Sequence, residues 1–351
     1  MTKQSISRYS SLMSRIALVL MLQCLLMYFC GRVFNFTRAL FIAADGYNIT
    51  ADIIFLVLDC IVSCIIYLVP VKVFDYFQRN SFREKNMPVK KEIISNDMIP
   101  IVTTLGICTG TVAYVINDFA VNAVADYTGF GDDYLFLSGF KYGYQIVIYF
   151  IIIAVIPAIC EELLFRKVLC DALEPYGPKT AIIVTSVLFS LMHTSFSRIL
   201  HTLVIGFFCA WIYVGTKNIK IPILIHFTHN ALSVINTVLQ YKVSVDVASV
   251  FFTLRFFAFA VISVVCFVKL KNIRKEQLLE RASQQNEVYD SYHENKQKYA
   301  NHIEMLPDEN GNEVLSLSKQ EKIRGFFSPM MIVFIVLVLI QMIYWMSFLL
   351  V

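Results

Sequence analysis

The sequence has none of the cysteine pairs that mark a disulfide framework or a zinc cluster. Its nine cysteines include no C-x-x-C pair, and all of them lie in or beside apolar segments. An odd number of cysteines in such positions indicates small apolar side chains rather than cross-links or metal ligands. We therefore expect neither a disulfide scaffold nor a cysteine-based metal site.

Segments of about ten residues with alternating hydrophobicity, the pattern of a membrane β-barrel, are also absent. A large excess of charge is absent too, since the net charge is only +4 and the Lys and Arg residues lie mainly between the apolar segments. This distribution suits the control of membrane topology better than nucleic-acid binding. We therefore expect the lipid bilayer, and not nucleic acid, to be a partner.

Long apolar segments dominate the chain instead. Hydrophobic residues make up 57% of it and the mean hydropathy is +0.64, whereas soluble domains are about 45–50% apolar. Because runs near the roughly 20 residues that cross a bilayer recur, the sequence predicts an all-α fold. This fold is a polytopic helical membrane bundle of about eight or nine transmembrane helices. The predicted spans are 16–30, 53–71, 99–116, 142–164, 180–193, 199–215, 221–239, 250–270 and 329–350.

The polar segments divide the chain into four predicted parts. Residues 1–94 hold the N-terminal spans and a basic cytoplasmic loop, and residues 95–270 hold the helical core. Residues 271–325 are hydrophilic, and residues 326–351 contain the last span. Because the hydrophilic part cannot bury enough apolar surface, we expect a solvated cytoplasmic segment in which the eighth span extends as a helix only to about residue 281.

The basic residues predict the orientation of the chain. With nine spans, the amino terminus and the basic loops fall on one side, and the acidic loop at 118–140 falls on the other. Because positively charged loops stay in the cytoplasm, we expect a multi-pass integral membrane protein with a cytoplasmic amino terminus. No organelle-targeting segment is recognisable, which favours a bacterial cell membrane.

Three polar motifs interrupt the apolar helices, and the first contains Glu161, Glu162 and Arg166. An ionisable side chain at mid-bilayer costs roughly 2.5–3.5 kcal/mol, so it marks a candidate functional site. Glu162 and Arg166 are four residues apart and share a helix face, while Glu161 is rotated by about 100°. Arg166 can therefore pair with Glu162 and leave Glu161 as a general base of raised proton affinity. The alternative is a plain charge cluster at a helix end.

The other two motifs place histidines on neighbouring spans. Phe189 and His193 share a face of the fifth span, and His226 and Asn230 share a face of the seventh. An imidazole and a carboxamide aimed at one point can donate hydrogen bonds to an oxyanion. Taken singly, each motif is also typical of interhelical hydrogen bonds, which contribute about 0.6 kcal/mol. Three such motifs on neighbouring spans favour a catalytic site.

Other ionisable side chains in the spans belong to no motif. We expect His201 to pack or hydrogen-bond within the sixth span, and His229 competes with His226 as a donor. For Arg255 the alternatives are snorkelling toward the membrane surface or pairing with Asp59.

The motifs E-E-x-x-x-R, F-x-x-x-H and H-x-x-x-N, in this order, resemble those of the CPBP intramembrane proteases. This family contains the CAAX proteases and the bacteriocin-processing proteins once called Abi, and it includes the type II CAAX prenyl endopeptidase. The resemblance covers about residues 95–270 and implies an eight-helix core. It implies an intramembrane endopeptidase that hydrolyses a peptide bond in a membrane-associated peptide, or in a prenylated or precursor substrate.

The resemblance also implies roles for the motif residues. Glu161 and His193 would activate a water molecule, and His226 and Asn230 would stabilise the oxyanion. Three further residues would support the site: Glu162, Arg166 and Phe189. The expected partners are the bilayer and a peptide or lipidated protein substrate.

Two alternatives remain open from the sequence. No cofactor is favoured, because the sequence has no H-E-x-x-H, but a zinc metalloprotease with Glu161, His193 and His226 as ligands is the other mechanism. The alternative function is a non-catalytic bacteriocin-immunity or scaffold membrane protein on the same fold. A transporter is disfavoured, because no paired inverted repeats are apparent.

Overall fold

The apolar segments form helices in the part of the chain that the computed structural model describes, which is residues 3–45, 49–79, 94–128, 142–195, 198–295, 305–307, 313–315 and 317–348. The all-α prediction is confirmed. The helices are α1 (Lys3–Asp45), α2 (Ile49–Arg79), α3 (Met98–Thr128), α4 (Gly143–Tyr176), α5 (Pro178–Leu191), α6 (Ile199–Thr216), α7 (Lys220–Lys242), α8 (Val245–Asn295), α9 (Lys319–Phe326) and α10 (Pro329–Phe348). Two three-residue strands, β1 (Met305–Pro307) and β2 (Glu313–Leu315), pair antiparallel between α8 and α9.

Six helices among the described residues are long and apolar enough to cross a membrane, or seven if the bent pair of α9 and α10 is one span. The chain is therefore a multi-pass integral membrane protein, but the predicted count of eight or nine spans, with its eight-helix core, is not confirmed. α5 has 14 residues, or about 21 Å, which is shorter than the roughly 30 Å hydrocarbon core. α7 has 23 residues and is not among the six, because polar side chains such as His226, His229 and Asn230 lower its apolarity.

α8 differs from its expected length. It continues as one helix to Asn295, well past the predicted end, and the added stretch contains no Gly or Pro that would stop a helix. Residues 296–304 and 308–312 of the hydrophilic segment lie outside the described residues. Residues 80–93, in the predicted basic loop, also lie outside the described residues. So do residues 129–141, which include about half of the predicted acidic loop.

α4 carries the first polar motif and is not a uniform helix. Its α-helical segment Ile156–Glu162 lies between two π-helical segments, Ile151–Val155 and Leu163–Cys170. Pro157 lies at the start of the middle segment and has no N–H, so the carbonyl of Ile153 lacks its usual donor four residues later. π-helical breaks are frequent at functional sites. Here one irregular segment ends six residues before Glu161, and the other begins directly after Glu162.

α6 is the central helix of the bundle. It belongs to two apolar clusters, one shared with α1, the end of α2, α4, α5 and α10 and the other with α3, α7 and α8. More than half of its residues are buried, whereas only 11% of the apolar stretches of α2 and α8 are buried. α2 and α8 therefore lie at the periphery, where large apolar side chains suit contact with lipid.

α5 is held closely against α6. The Ser190 hydroxyl donates to the carbonyl of Ile199 over 2.7 Å. The Thr202 hydroxyl donates to the Ser190 hydroxyl oxygen over 3.2 Å. A Cβ atom at Gly206 would come within 3.1 Å of the Phe189 ring, so a small residue is needed at this helix contact. These contacts fix the end of α5, which carries the second motif.

Candidate active site

Glu162 and Arg166 form a two-pronged ion pair inside the bundle. Nε of Arg166 donates to Oε2 of Glu162 over 2.7 Å, and Nη2 donates to Oε1 over 3.4 Å. Both side chains are 0% exposed. A buried carboxylate remains ionised only when it is paired and hydrogen-bonded, so the pairing that the spacing predicted accounts for the charge of Glu162.

His226 links the two glutamates of α4 to α7. Its Nδ1 lies 3.0 Å from Oε1 of Glu162, and its Nε2 lies 4.0 Å from Oε2 of Glu161. An ionised carboxylate only accepts hydrogen bonds. Nδ1 of His226 therefore carries a proton and donates a hydrogen bond to Glu162. Glu162 therefore pairs with Arg166 and also orients the imidazole, with Nε2 facing Glu161.

His193 has a defined orientation as well. Its Nδ1 lies 2.9 Å from the carbonyl oxygen of Phe189, which can only accept, so Nδ1 again carries the proton and the neutral ring has its lone pair on Nε2. The next residue, Thr194, has φ of +47°. A β-branched residue in this left-handed region is strained, and such strain is concentrated at functional sites.

The ring of Phe189 joins the three motifs. It packs edge-on against His193, with ring centroids 4.9 Å apart, and against His226, with centroids 5.5 Å apart. The guanidinium carbon of Arg166 lies 5.0 Å from its centroid, a distance typical of a cation–π contact. Phe189 thus positions both imidazoles and covers the buried cation.

Glu161 is 9% exposed and is the less constrained of the two carboxylates. His193 interacts with it by charge, and the side chain of Tyr67 on α2 interacts with it by a hydrogen bond and by charge. Sequence reasoning missed Tyr67, because it is one of 18 tyrosines and lies in an apolar span that carries no motif.

Asn230 lies one turn beyond His226 on α7, and its side chain contacts the backbone of α4. Its Nδ2 donates to the carbonyl oxygen of Ile153 over 3.1 Å. This carbonyl is the one that Pro157 leaves without a helical donor. Asn230 therefore ties α7 to the irregular part of α4, and it contacts no other predicted site residue through a hydrogen bond that the structure records.

Three side chains that we predicted to lie outside the site form a separate group. His201 and His229 both pack edge-on against the ring of Tyr114. Arg255 is 7% exposed and lies 5.3 Å from the centroids of its neighbours Phe251 and Phe252. Snorkelling of Arg255 toward the surface is therefore not what the structure shows.

The donor set for a metal ion is incomplete in the described part of the chain. No group of three or more His, Cys, Asp or Glu side chains there is arranged to hold an ion, and all nine cysteines are free thiols. Of the residues considered as zinc ligands, His226 uses Nδ1 for Glu162 and has Nε2 4.0 Å from Glu161. We derive no step through a metal.

Comparisons with known proteins match the region that contains this site. A family model described as type II CAAX prenyl endopeptidase Rce1-like matches residues 143–232. The "Putative membrane peptidase YdiL" of Bacillus subtilis (strain 168) is 34% identical over 86 residues, which is 24% of this chain and 35% of that protein. The "UPF0177 protein YxdF" of Lactococcus lactis subsp. lactis (strain IL1403) is 34% identical over 80 residues, which is 22% of this chain and 44% of that protein. No solved structure matches the chain.

These matches confirm the family resemblance that the three motifs indicated. The family match runs from the start of α4 into α7, so it includes all seven predicted site residues and is shorter than the stretch 95–270. The matched parts span less than half of either curated relative.

Proposed function

We propose that this membrane protein is an endopeptidase that hydrolyses a peptide bond within or beside the bilayer, in a membrane-associated peptide or in a prenylated or precursor substrate. The observation that carries the proposal is the division between its two glutamates. Glu162 is paired with Arg166, whereas Glu161 lies 4.0 Å from Nε2 of His226 and interacts by charge with His193. The match to a family of prenyl endopeptidases supports the same reaction class.

Water activation falls to Glu161 and His193 in this proposal. A water molecule donates one hydrogen bond to the Glu161 carboxylate and the other to the Nε2 lone pair of His193. Glu161 takes the proton as the oxygen attacks the peptide carbonyl carbon, whose π electrons move to the carbonyl oxygen. When the tetrahedral intermediate collapses, the C–N bond breaks and Glu161 returns the proton to the leaving nitrogen.

Oxyanion stabilisation falls to His226 and Asn230. Because Nδ1 of His226 is committed to Glu162, Nε2 can donate only when the ring is an imidazolium, and the Glu162 carboxylate stabilises that charge as in other carboxylate–histidine pairs. The two carboxylates then balance one guanidinium and one imidazolium, so the buried site has no net charge. The second N–H of the Asn230 amide supplies the other donor.

The charged end of α4 supports a position for the site below the membrane surface. Near the end of this helix Asp171 and Glu174 both bind Lys217, and the Lys217–Asp171 distance is 2.8 Å. Burial lowers the pKa of Lys217, but these two carboxylates outweigh that effect and raise it. Asp171 lies ten residues after Glu161, at least two helical turns further along α4. The proposed orientation, with a cytoplasmic amino terminus in a bacterial membrane, places this charged end in the cytoplasm and the site inside the bilayer.

The reaction and its metal dependence are tested with a quenched-fluorescence peptide and purified protein in detergent. We expect wild-type cleavage that resists a strong zinc chelator and is lost in His193→Ala, with both proteins eluting as the same species. Activity that the chelator removes and zinc restores would instead make Glu161, His193 and His226 ligands. Absence of cleavage across unrelated membrane peptides would favour the non-catalytic immunity or scaffold function.

Tyr67→Phe tests the contact that sequence reasoning missed. Removing the hydroxyl deletes a hydrogen bond to an ionised carboxylate, which contributes about 1.5–3 kcal/mol, so we expect kcat to fall by at least about tenfold. KM should change little, because the hydroxyl orients Glu161 rather than the peptide. Tyr76→Phe on the same helix is the matched control, because Tyr76 is 64% exposed. Equal activity of the two variants would remove Tyr67 from the site.

A further inference from the structure

A polar pocket lies beside the active site, between α3, α7 and α8. It contains about 180 Å³ of empty space, including its open mouth, and about 10 Å³ is accessible to the centre of a water molecule. The latter is room for about one oxygen atom of a ligand or one water. The pocket is lined by Thr111, Tyr114, His229, Leu232, Ser233 and Arg255.

Arg255 is the unusual member of this lining. It is 7% exposed, its Nη1 donates to the carbonyl of Leu232 over 3.2 Å, and its Nε is buried without a partner. Among the residues that the structure describes, no carboxylate forms an ion pair with it. A guanidinium in the middle of a membrane bundle is costly unless an anion or other acceptor compensates its charge.

The other polar groups of the pocket match the sign of that charge. Tyr114, Ser233 and His229 each carry a group that can donate a hydrogen bond, and the lining contains no acidic side chain. Arginine with neighbouring donors is the usual protein complement of a carboxylate or phosphate. The pocket therefore suits one oxygen of an anionic group, which would take the place of a water molecule.

The position of the pocket relates it to the proposed reaction. His229 lines it and lies three residues after His226 on α7, and residues three apart on a helix are neighbours on its surface. His229 also interacts by charge with both His226 and Arg255. The pocket is therefore adjacent to the catalytic residue His226 along α7, which makes Arg255 a candidate contact for a peptide bound at the site.

We propose that this pocket binds an anionic oxygen group through Arg255, and that the group is a carboxylate of the bound peptide. Binding of the anion stands on the pocket alone, whereas the assignment to the peptide rests on the proposed endopeptidase function. The carboxylate would hold the chain in one register while the bond beside His226 is cleaved.

The first experiment measures anion binding without relying on cleavage. The probes are octanoate, octyl phosphate and the neutral octanamide, and the readout is the shift of the unfolding temperature of the purified protein with probe concentration. We expect octanoate to bind at least about tenfold more tightly than octanamide, Arg255→Gln to abolish the difference and Arg255→Lys to keep part of it. Octyl phosphate binding like octanoate would also support an anion site.

Two variants keep this test decisive. Ser233→Leu fills the pocket and leaves Arg255 in place, so it should also abolish the preference for octanoate even if Arg255→Gln does not fold. Arg324→Gln is the matched control, since Arg324 is exposed, and it should bind as wild type does. Equal binding of octanoate and octanamide by the wild type, or an unchanged preference in Ser233→Leu, would overturn the proposal.

The second experiment identifies the source of the anion. Peptides of one sequence without acidic side chains are prepared with a free carboxyl terminus, with a terminal amide, and with the amide plus one glutamate. We expect the KM of the terminal-amide peptide to be about tenfold higher than that of the free-acid peptide, and the added glutamate to lower it again. In Arg255→Gln the KM values of the three peptides should be equal. If the wild type cleaves the three peptides with the same KM, the peptide is not the source of the anion. If no peptide is cleaved, the result counts against the endopeptidase function, whereas the octanoate result still supports the anion site.

Discussion

Glu161→Gln is expected to lower the rate of peptide cleavage by about 10²–10⁴-fold, the usual contribution of a general base. Glutamine has nearly the same shape, so Tyr67 and His226 keep a neighbour of similar size, but the amide cannot take a proton from water. The rate is measured as kcat with the quenched-fluorescence peptide, and the unfolding temperature of the variant should stay close to that of the wild type.

Glu174→Gln is the matched control for this substitution. Glu174 lies on the same helix and pairs with Lys217 at the charged end of α4, away from the motif residues, so its variant should cleave at the wild-type rate. Cleavage by Glu161→Gln at more than a tenth of the wild-type rate would be incompatible with Glu161 as the base.

The second large effect concerns the buried pair of Glu162 and Arg166. Glu162→Gln leaves a fully buried guanidinium without its carboxylate, and we expect the free energy of unfolding to fall by about 3–5 kcal/mol. Arg166→Gln should cost less, because Glu162 retains His226 as a partner. The double variant, with two neutral amides, should recover stability relative to Glu162→Gln, which gives a coupling of roughly 2 kcal/mol in the double-mutant cycle.

The rate of peptide cleavage by the same variants distinguishes a role of the ion pair in catalysis from a role in stability alone. The double variant regains stability but lacks the carboxylate that supports the His226 imidazolium, so cleavage should remain lost. Lys167→Gln is the control for a charge change on the same helix, because Lys167 is 62% exposed and pairs with Asp171 at 3.2 Å, and exposed pairs contribute only about 0–1 kcal/mol. Additive effects of the two single substitutions would show that the ion pair does not act as a unit.

Much of the architecture was predictable because it depends on local patterns. Apolar segments of membrane-spanning length indicate helices regardless of what they pack against, and each of the nine predicted spans overlaps a helix in the described part of the chain. The spacing of four residues between Glu162 and Arg166 implied their contact, since helical geometry brings such positions together. The number of helices that cross the membrane was less predictable, because the short α5 and the polar α7 depend on their neighbours for burial.

The amino-acid sequence alone was enough to establish a helical membrane protein and the three motifs on α4, α5 and α7, because both depend on residue type and helical period. The tertiary structure was needed for every feature that joins residues far apart in the chain. It showed Nδ1 of His226 bound to Glu162, Tyr67 beside Glu161, and Asn230 bound to the carbonyl that Pro157 leaves free. These contacts depend on the packing of separate helices, and no spacing within a single segment specifies such packing.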